Sequence, residues 1–134
     1  MDATQWHKVL QMTFEMVNTF PDTADICRKL VAIRPQYEIR GKPEYDYALE
    51  FSSEGITYQP GKSPKANVRF DYPNLNIAIE TLTAQLPSVG SHPAVYGVHI
   101  YGNQTYAITL VALTTGISGA FLTAMDEIGI GDKD

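Results

Sequence analysis

Between Tyr45 and Ile117 the hydrophobic period runs from two to about 3.6, back to two, and back to about 3.6 again. That succession restricts the chain to a sheet layered against helices. Three runs carry the period of two: Tyr45–Phe51, Ile56–Tyr58 and Ala66–Tyr72, each setting apolar side chains against mostly polar ones. Such alternation belongs to a sheet with one buried and one wet face, where Asp46, Glu50, Glu54 and Asp71 need no catalytic explanation. Leu75, Ile79, Leu82 and Leu86 then recur at helical spacing and form one stripe. A fourth strand over Ala94–Tyr101 turns Tyr96, Val98 and Ile100 inward and leaves His99 outside. Asn103 is placed to cap a helix through Tyr106, Leu110 and Leu113, and Thr114-Thr115-Gly116 reads as its end. Ser118 then caps a last helix whose Phe121, Leu122, Met125 and Ile128 make the inward stripe.

Two helical segments precede the strands. In the first, from about Thr4 to Thr19, the residues Trp6, Val9, Leu10, Met12, Phe14, Met16 and Val17 cover more than half of the circumference. Either this helix is wedged between two surfaces, or part of it, Trp6 with Phe14 or Met16, meets a second copy of the chain. Pro21 suits the first turn of a second helix, with Asp22 and Asp25 near its positive end. Arg34-Pro35 stops that helix, because the residue before a proline is driven out of the α region. Pro35–Arg40 reads as a short edge strand with Tyr37 and Ile39 on one face, and Ser52–Gly55 as an antiparallel hairpin turn. Pro60–Lys65 forms the next turn, and Pro87–Pro93 is a mobile connection. The expected whole is one α+β domain over residues 1–134: a mainly antiparallel sheet of about five strands packed against N-terminal, middle and C-terminal helices.

Composition narrows the function. With 10 basic residues against 15 acidic ones and a net charge of −5, the chain lacks the clustered Lys and Arg that a nucleic acid or an anionic membrane requires. Cys27 is the single cysteine, so no internal disulfide forms, and its helical setting suits a packed thiol. The start Met1-Asp2-Ala3 has no basic and then apolar run, which makes the cytoplasm the expected compartment. The longest apolar stretch, Ile108 to Leu113, is far short of the roughly 20 residues that span a bilayer. His7, His92 and His99 share no metal-ligand spacing, and no serine sits in a Gly-x-Ser-x-Gly elbow. Neither a catalytic site, nor a metal, nor a cofactor is expected.

At Ala66-Asn67-Val68-Arg69-Phe70, followed by a helix, a loop, the strand Val98-His99-Ile100-Tyr101 and a helix opened by Gly102-Asn103, the chain resembles the sterol carrier protein family. Phe51-Ser52-Ser53-Glu54-Gly55 looks like that family's first hairpin, and the two leading helices are similar to its N-terminal pair. The resemblance implies a non-enzymatic carrier of a fatty acyl chain or sterol-like lipid in a pocket between sheet and helices. The lining would then come from Leu49, Phe51, Val68, Phe70, Ile79, Leu82, Val98, Ile100, Leu110, Leu113, Phe121 and Met125. The alternative is a protein-interaction or dimerisation module of the same fold with a filled core, its homodimer contact on the first helix.

The alternation of the strands places Leu49, Phe51, Val68 and Phe70 toward the helices, with Glu50 and Arg69 in solvent. Phe70→Ala should cost about 3–5 kcal/mol of stability and Arg69→Ala well under 1 kcal/mol in urea melts. Equal small losses would mean the register is slipped by one residue.

Overall fold

The computed structural model describes residues 1–83 and 97–129. Expectations for Leu86, the Pro87–Pro93 connection, Ala94–Tyr96 and the tail Gly131–Asp134 lie outside the described residues. In chain order the elements are α1 (Ala3–Val17), α2 (Thr23–Leu30), β1 (Pro35–Ile39), a 3₁₀ turn (Pro43–Tyr45), β2 (Tyr47–Ser52), β3 (Gly55–Pro60), β4 (Val68–Tyr72), α3 (Leu75–Leu82), β5 (His99–Gly102) and α4 (Gln104–Ile128).

Helix α1 starts in a capping box, in which the Gln5 amide donates to Asp2 Oδ1 at 2.8 Å and the Asp2 amide to Gln5 Oε1 at 3.0 Å. It buries Trp6, Val9, Leu10, Thr13, Phe14 and Val17 because α4 packs on it from one side and the sheet from the other. The wide apolar surface is thus explained by two internal neighbours. Trp6 and Phe14 are buried within the chain and do not face a second copy, which corrects the dimer contact expected of them, while Met16 is half-buried against the same core.

The five strands lie in the order β3-β2-β1-β4-β5. Strand β1 is central, not at an edge, and the sheet is mixed, not mainly antiparallel: β1 runs parallel to β4, from Pro35 opposite Val68 to Ile39 opposite Tyr72. The β1–β2, β2–β3 and β4–β5 pairs are antiparallel. Both differences trace to the connection after β3, which crosses the outer face of the sheet and delivers β4 to the far side of β1. Gln36 holds this crossing: its Nε2 donates to the Gly61 carbonyl at 3.0 Å and to the Tyr47 carbonyl at 3.1 Å, and its Oε1 accepts from the Ser63 amide at 2.7 Å. Asn67 fastens the end, accepting from the Arg34 amide and donating to the Ala32 carbonyl, both at 2.8 Å. Sequence periodicity carries no sign of such a crossover, because side-chain alternation is the same in parallel and antiparallel strands.

Helix α4 is continuous, so the expected break at Thr114-Thr115-Gly116 and the Ser118 cap are not found. One face of it buries Ala107, Leu110, Leu113, Ile117, Ala120, Phe121 and Ala124 in steps of mostly three and four, and that burial outweighs the roughly 1 kcal/mol that a mid-helix glycine costs. Leu122 turns outward, not inward, while Met125 and Ile128 are half-buried. Asn103 is the cap, accepting from the Tyr106 amide at 3.1 Å. The stripe of α3 is rotated from expectation, burying Ala78 and Leu82 with Leu75 and Ile79 only half-buried. In β5, Val98 is buried just ahead of the strand, Ile100 is half-buried and His99 is exposed, as the alternation required.

Gly102 joins β5 to α4 at φ +98°, and a Cβ there would lie 2.5 Å from the Asn67 carbonyl oxygen and 3.1 Å from Val68 Cα. Gly41, at φ +77°, has nothing within 4 Å of the same position. Gly102→Ala should therefore cost about 2–4 kcal/mol, against about 1 kcal/mol for Gly41→Ala, in paired urea denaturation curves.

Candidate functional site

The inner face of the sheet alternates apolar residues that stand toward α1, α3 and α4. Of the twelve residues expected to surround a ligand, Leu49, Phe51, Val68, Phe70, Leu82, Val98, Leu110, Leu113 and Phe121 are buried in one apolar cluster. Ile79, Ile100 and Met125 pack against it half-buried. The fold therefore brings all of them into one region, from β2, β4 and β5 on one side and α3 and α4 on the other. Trp6 closes it beside α1, its ring 6.1 Å from Tyr47 and 6.1 Å from Phe121, its Nε1 donating to the Tyr45 carbonyl at 2.9 Å.

Three tyrosines belong to this region that were absent from the expected lining. Tyr37 stacks on Tyr47 at 4.7 Å between centroids and on Phe70 at 5.1 Å, its partners in register on β2 and β4. Phe70 continues the row to Tyr72 at 6.5 Å. The hydroxyls of Tyr37, Tyr47 and Tyr72 have no hydrogen-bond partner among the described residues, whereas Tyr45 donates to the Met1 carbonyl at 2.9 Å and the Tyr58 hydroxyl meets His7 Nδ1. Burial pushes all three phenols above their usual range; the Tyr72 charge adds to the rise of Tyr37, and both add to that of Tyr47. All three are neutral donors. Pattern alone marks each as an inward position on its own strand; only register makes them neighbours.

The outer face is a charged network instead of a wet surface. Arg69, expected free in solvent, donates to Glu38 at 2.8 Å and lies 4.1 Å over the Tyr101 ring, its side chain 41% exposed. Lys62 bridges Glu38 at 3.1 Å and Asp46 at 3.2 Å. Asp46, expected on the wet face, is 2% exposed. With Gln36, Ser63 and Asn67, the side chains of Glu38, Lys62, Arg69 and Tyr101 border an open cleft of about 370 Å³. Burial would raise Glu38, but Arg69 and Lys62 hold its carboxyl below the usual range; at Asp46 burial prevails over Lys62 and the carboxyl is raised. Among the described residues no three His, Cys, Asp or Glu side chains gather as a metal-binding group, and Cys27 is a buried thiol raised by burial.

No protein-family profile matches this sequence, and no curated protein matches it. Among solved structures the chain is similar to one described as "UbiJ-SCP2 Ubiquinone synthesis protein", with a TM-score of 0.55 at 16% identity, over 78% of this chain and 90% of that one. The fold is that of a sterol-carrier-like domain. No helix among the described residues is long and apolar enough to cross a membrane.

The two outer-face carboxyls act on stability in opposite directions. Glu38, lowered in the fold, contributes stability that is present above its unfolded pKa and lost as pH falls through its folded value. Asp46, raised in the fold, binds its proton more readily folded than unfolded, so stability falls as pH rises from its unfolded to its folded value. Urea midpoints taken across the carboxylate range should show a flatter acid limb for Glu38→Gln and a steeper one for Asp46→Asn than for the unaltered chain.

Proposed function

We propose that this sterol-carrier-like domain is a non-enzymatic binder or carrier of an apolar ligand, held between the inner face of the sheet and helices α1, α3 and α4. The observation that supports the reading is the single apolar cluster formed by the inner faces of β2, β4 and β5 with α3 and α4, in a fold shared with a solved protein whose description names it an SCP2 protein. That description ties the solved protein to ubiquinone synthesis; for the present chain only the class, a lipid, is carried over. Enclosing a sixteen-carbon chain would contribute about 12 kcal/mol gross, at about 0.8 kcal/mol per methylene, before the cost of ordering. Affinity in the micromolar range needs only part of that.

A second reading, an interaction module with a filled core, draws on Ile108 and Leu122, which are 61% and 46% exposed on α4. Native mass spectrometry of the purified chain separates the two, since co-purified lipid and subunit number are read together. Carriage predicts lipid-sized adducts, together with saturable micromolar binding of a fluorescent sixteen-carbon acyl probe as free acid or methyl ester. Leu110→Trp, which fills the region, should weaken that binding at least tenfold. No adduct and no saturable binding of either probe would sink carriage and leave the interaction module.

A further inference from the structure

The carrier reading leaves open which polar group a ligand brings into an apolar region, and the row of tyrosines bears on it. Tyr47, Tyr37 and Tyr72 stand on the helix-covered face of three adjacent strands, β2, β1 and β4. Stacking fixes the rings: Tyr37 lies within 14° of parallel to Tyr47 and 9° of parallel to Phe70, and Phe70 within 18° of parallel to Tyr72. Packing alone is served as well by phenylalanine, which makes the same stacks without burying an oxygen. Three phenols without a hydrogen-bond partner among the described residues, on one face of the sheet, are therefore a standing cost to the fold.

We propose that Tyr37, Tyr47 and Tyr72 are the polar subsite of the ligand region, donating hydrogen bonds to an uncharged oxygen acceptor, a ketone, ester or hydroxyl oxygen, on an otherwise apolar lipid. This rests on the carrier reading and deepens it. An oxygen with two lone pairs accepts from at most two of these O–H donors at once. Among the described residues no lysine or arginine is buried, so a carboxylate brought into the apolar region would be a buried charge with no buried cation to pair it. An uncharged head meets no such penalty. The ordered lysine and arginine of the sheet, Lys62, Arg69 and Arg40, are engaged on the opposite face with Glu38, Asp46 and Asp71.

The test uses 2-undecanone carrying a ¹³C carbonyl, with undecanoate at pH 8 as the charged counterpart, titrated into the full chain and into Tyr37→Phe, Tyr47→Phe and Tyr72→Phe. Binding is followed by Trp6 emission and the bound carbonyl by isotope-edited infrared spectroscopy. Each variant deletes an unpartnered hydroxyl and keeps the ring, so its ligand-free melting temperature should hold or rise, which certifies folding. The proposal expects the bound carbonyl stretch below its frequency in hexane. Substitution of a hydroxyl that donates to the carbonyl, one or two of the three, should move it back and weaken ketone binding about three- to tenfold, and undecanoate should bind at least tenfold more weakly than the ketone. Ketone binding with a hexane-like stretch and no loss in the three variants would overturn the subsite and leave the carrier reading standing. Tighter binding of undecanoate would overturn the uncharged head. If neither compound binds and the acyl probes fail as well, the carrier reading falls and the subsite falls with it.

Discussion

Trp6 lies where three layers of this fold meet. Its ring touches Tyr45 and Tyr47 on the sheet side and Phe121 of α4 on the other, and its one polar atom is matched to the Tyr45 carbonyl at 2.9 Å. A buried aromatic of this kind removes some 150–250 Å² from water, about 4–6 kcal/mol gross. The position also explains why α1 is apolar around more than half of its circumference. A helix against one sheet needs a single stripe, whereas one sandwiched between a sheet and a long helix needs two, and α1 has α4 behind it.

The sheet depends on polar side chains to a degree that apolar patterning conceals. Gln36 and Asn67 replace the backbone partners that the Gly61–Asn67 crossing forgoes, and a buried amide is tolerated because its donors and acceptors are met. Around this crossing Lys62 and Arg69 neutralise Glu38 and Asp46, so the outer face combines charge with burial. The Gly102-Asn103 pair is the other fixed point: only a residue without Cβ passes the Asn67 carbonyl, and Asn103 then opens α4. The pair that carried the family resemblance has a steric cause.

The inner face combines two chemistries. Leucine, valine, phenylalanine and isoleucine account for its apolar character, and a core made of these alone would be the more stable one. The tyrosine row adds three phenol oxygens that packing alone does not call for. On the outer face, by contrast, Gln36, Glu38, Lys62 and Arg69 are all paired, and the one sealed side-chain oxygen without a partner among the described residues is Asp46 Oδ1.

Local pattern determined much of this protein. The alternation of Leu49, Phe51, Val68, Phe70 and Val98 against Glu50 and His99 assigned their faces, because side chains in a strand alternate whatever the strand pairs with. The caps at Asn74 and Asn103 were local too, each a side chain bonded to an amide three residues on. What periodicity does not encode is which strands lie side by side. Tertiary structure alone decided that β1 is central and parallel to β4, that α4 runs unbroken through Gly116, that Trp6 and Phe14 face inward, and that Tyr37, Tyr47 and Tyr72 form one row. Each of these depends on contacts between residues far apart in the chain. Their energies, from burial between layers and from the amide bonds of Gln36 and Asn67, exceed the local preferences that a sequence displays.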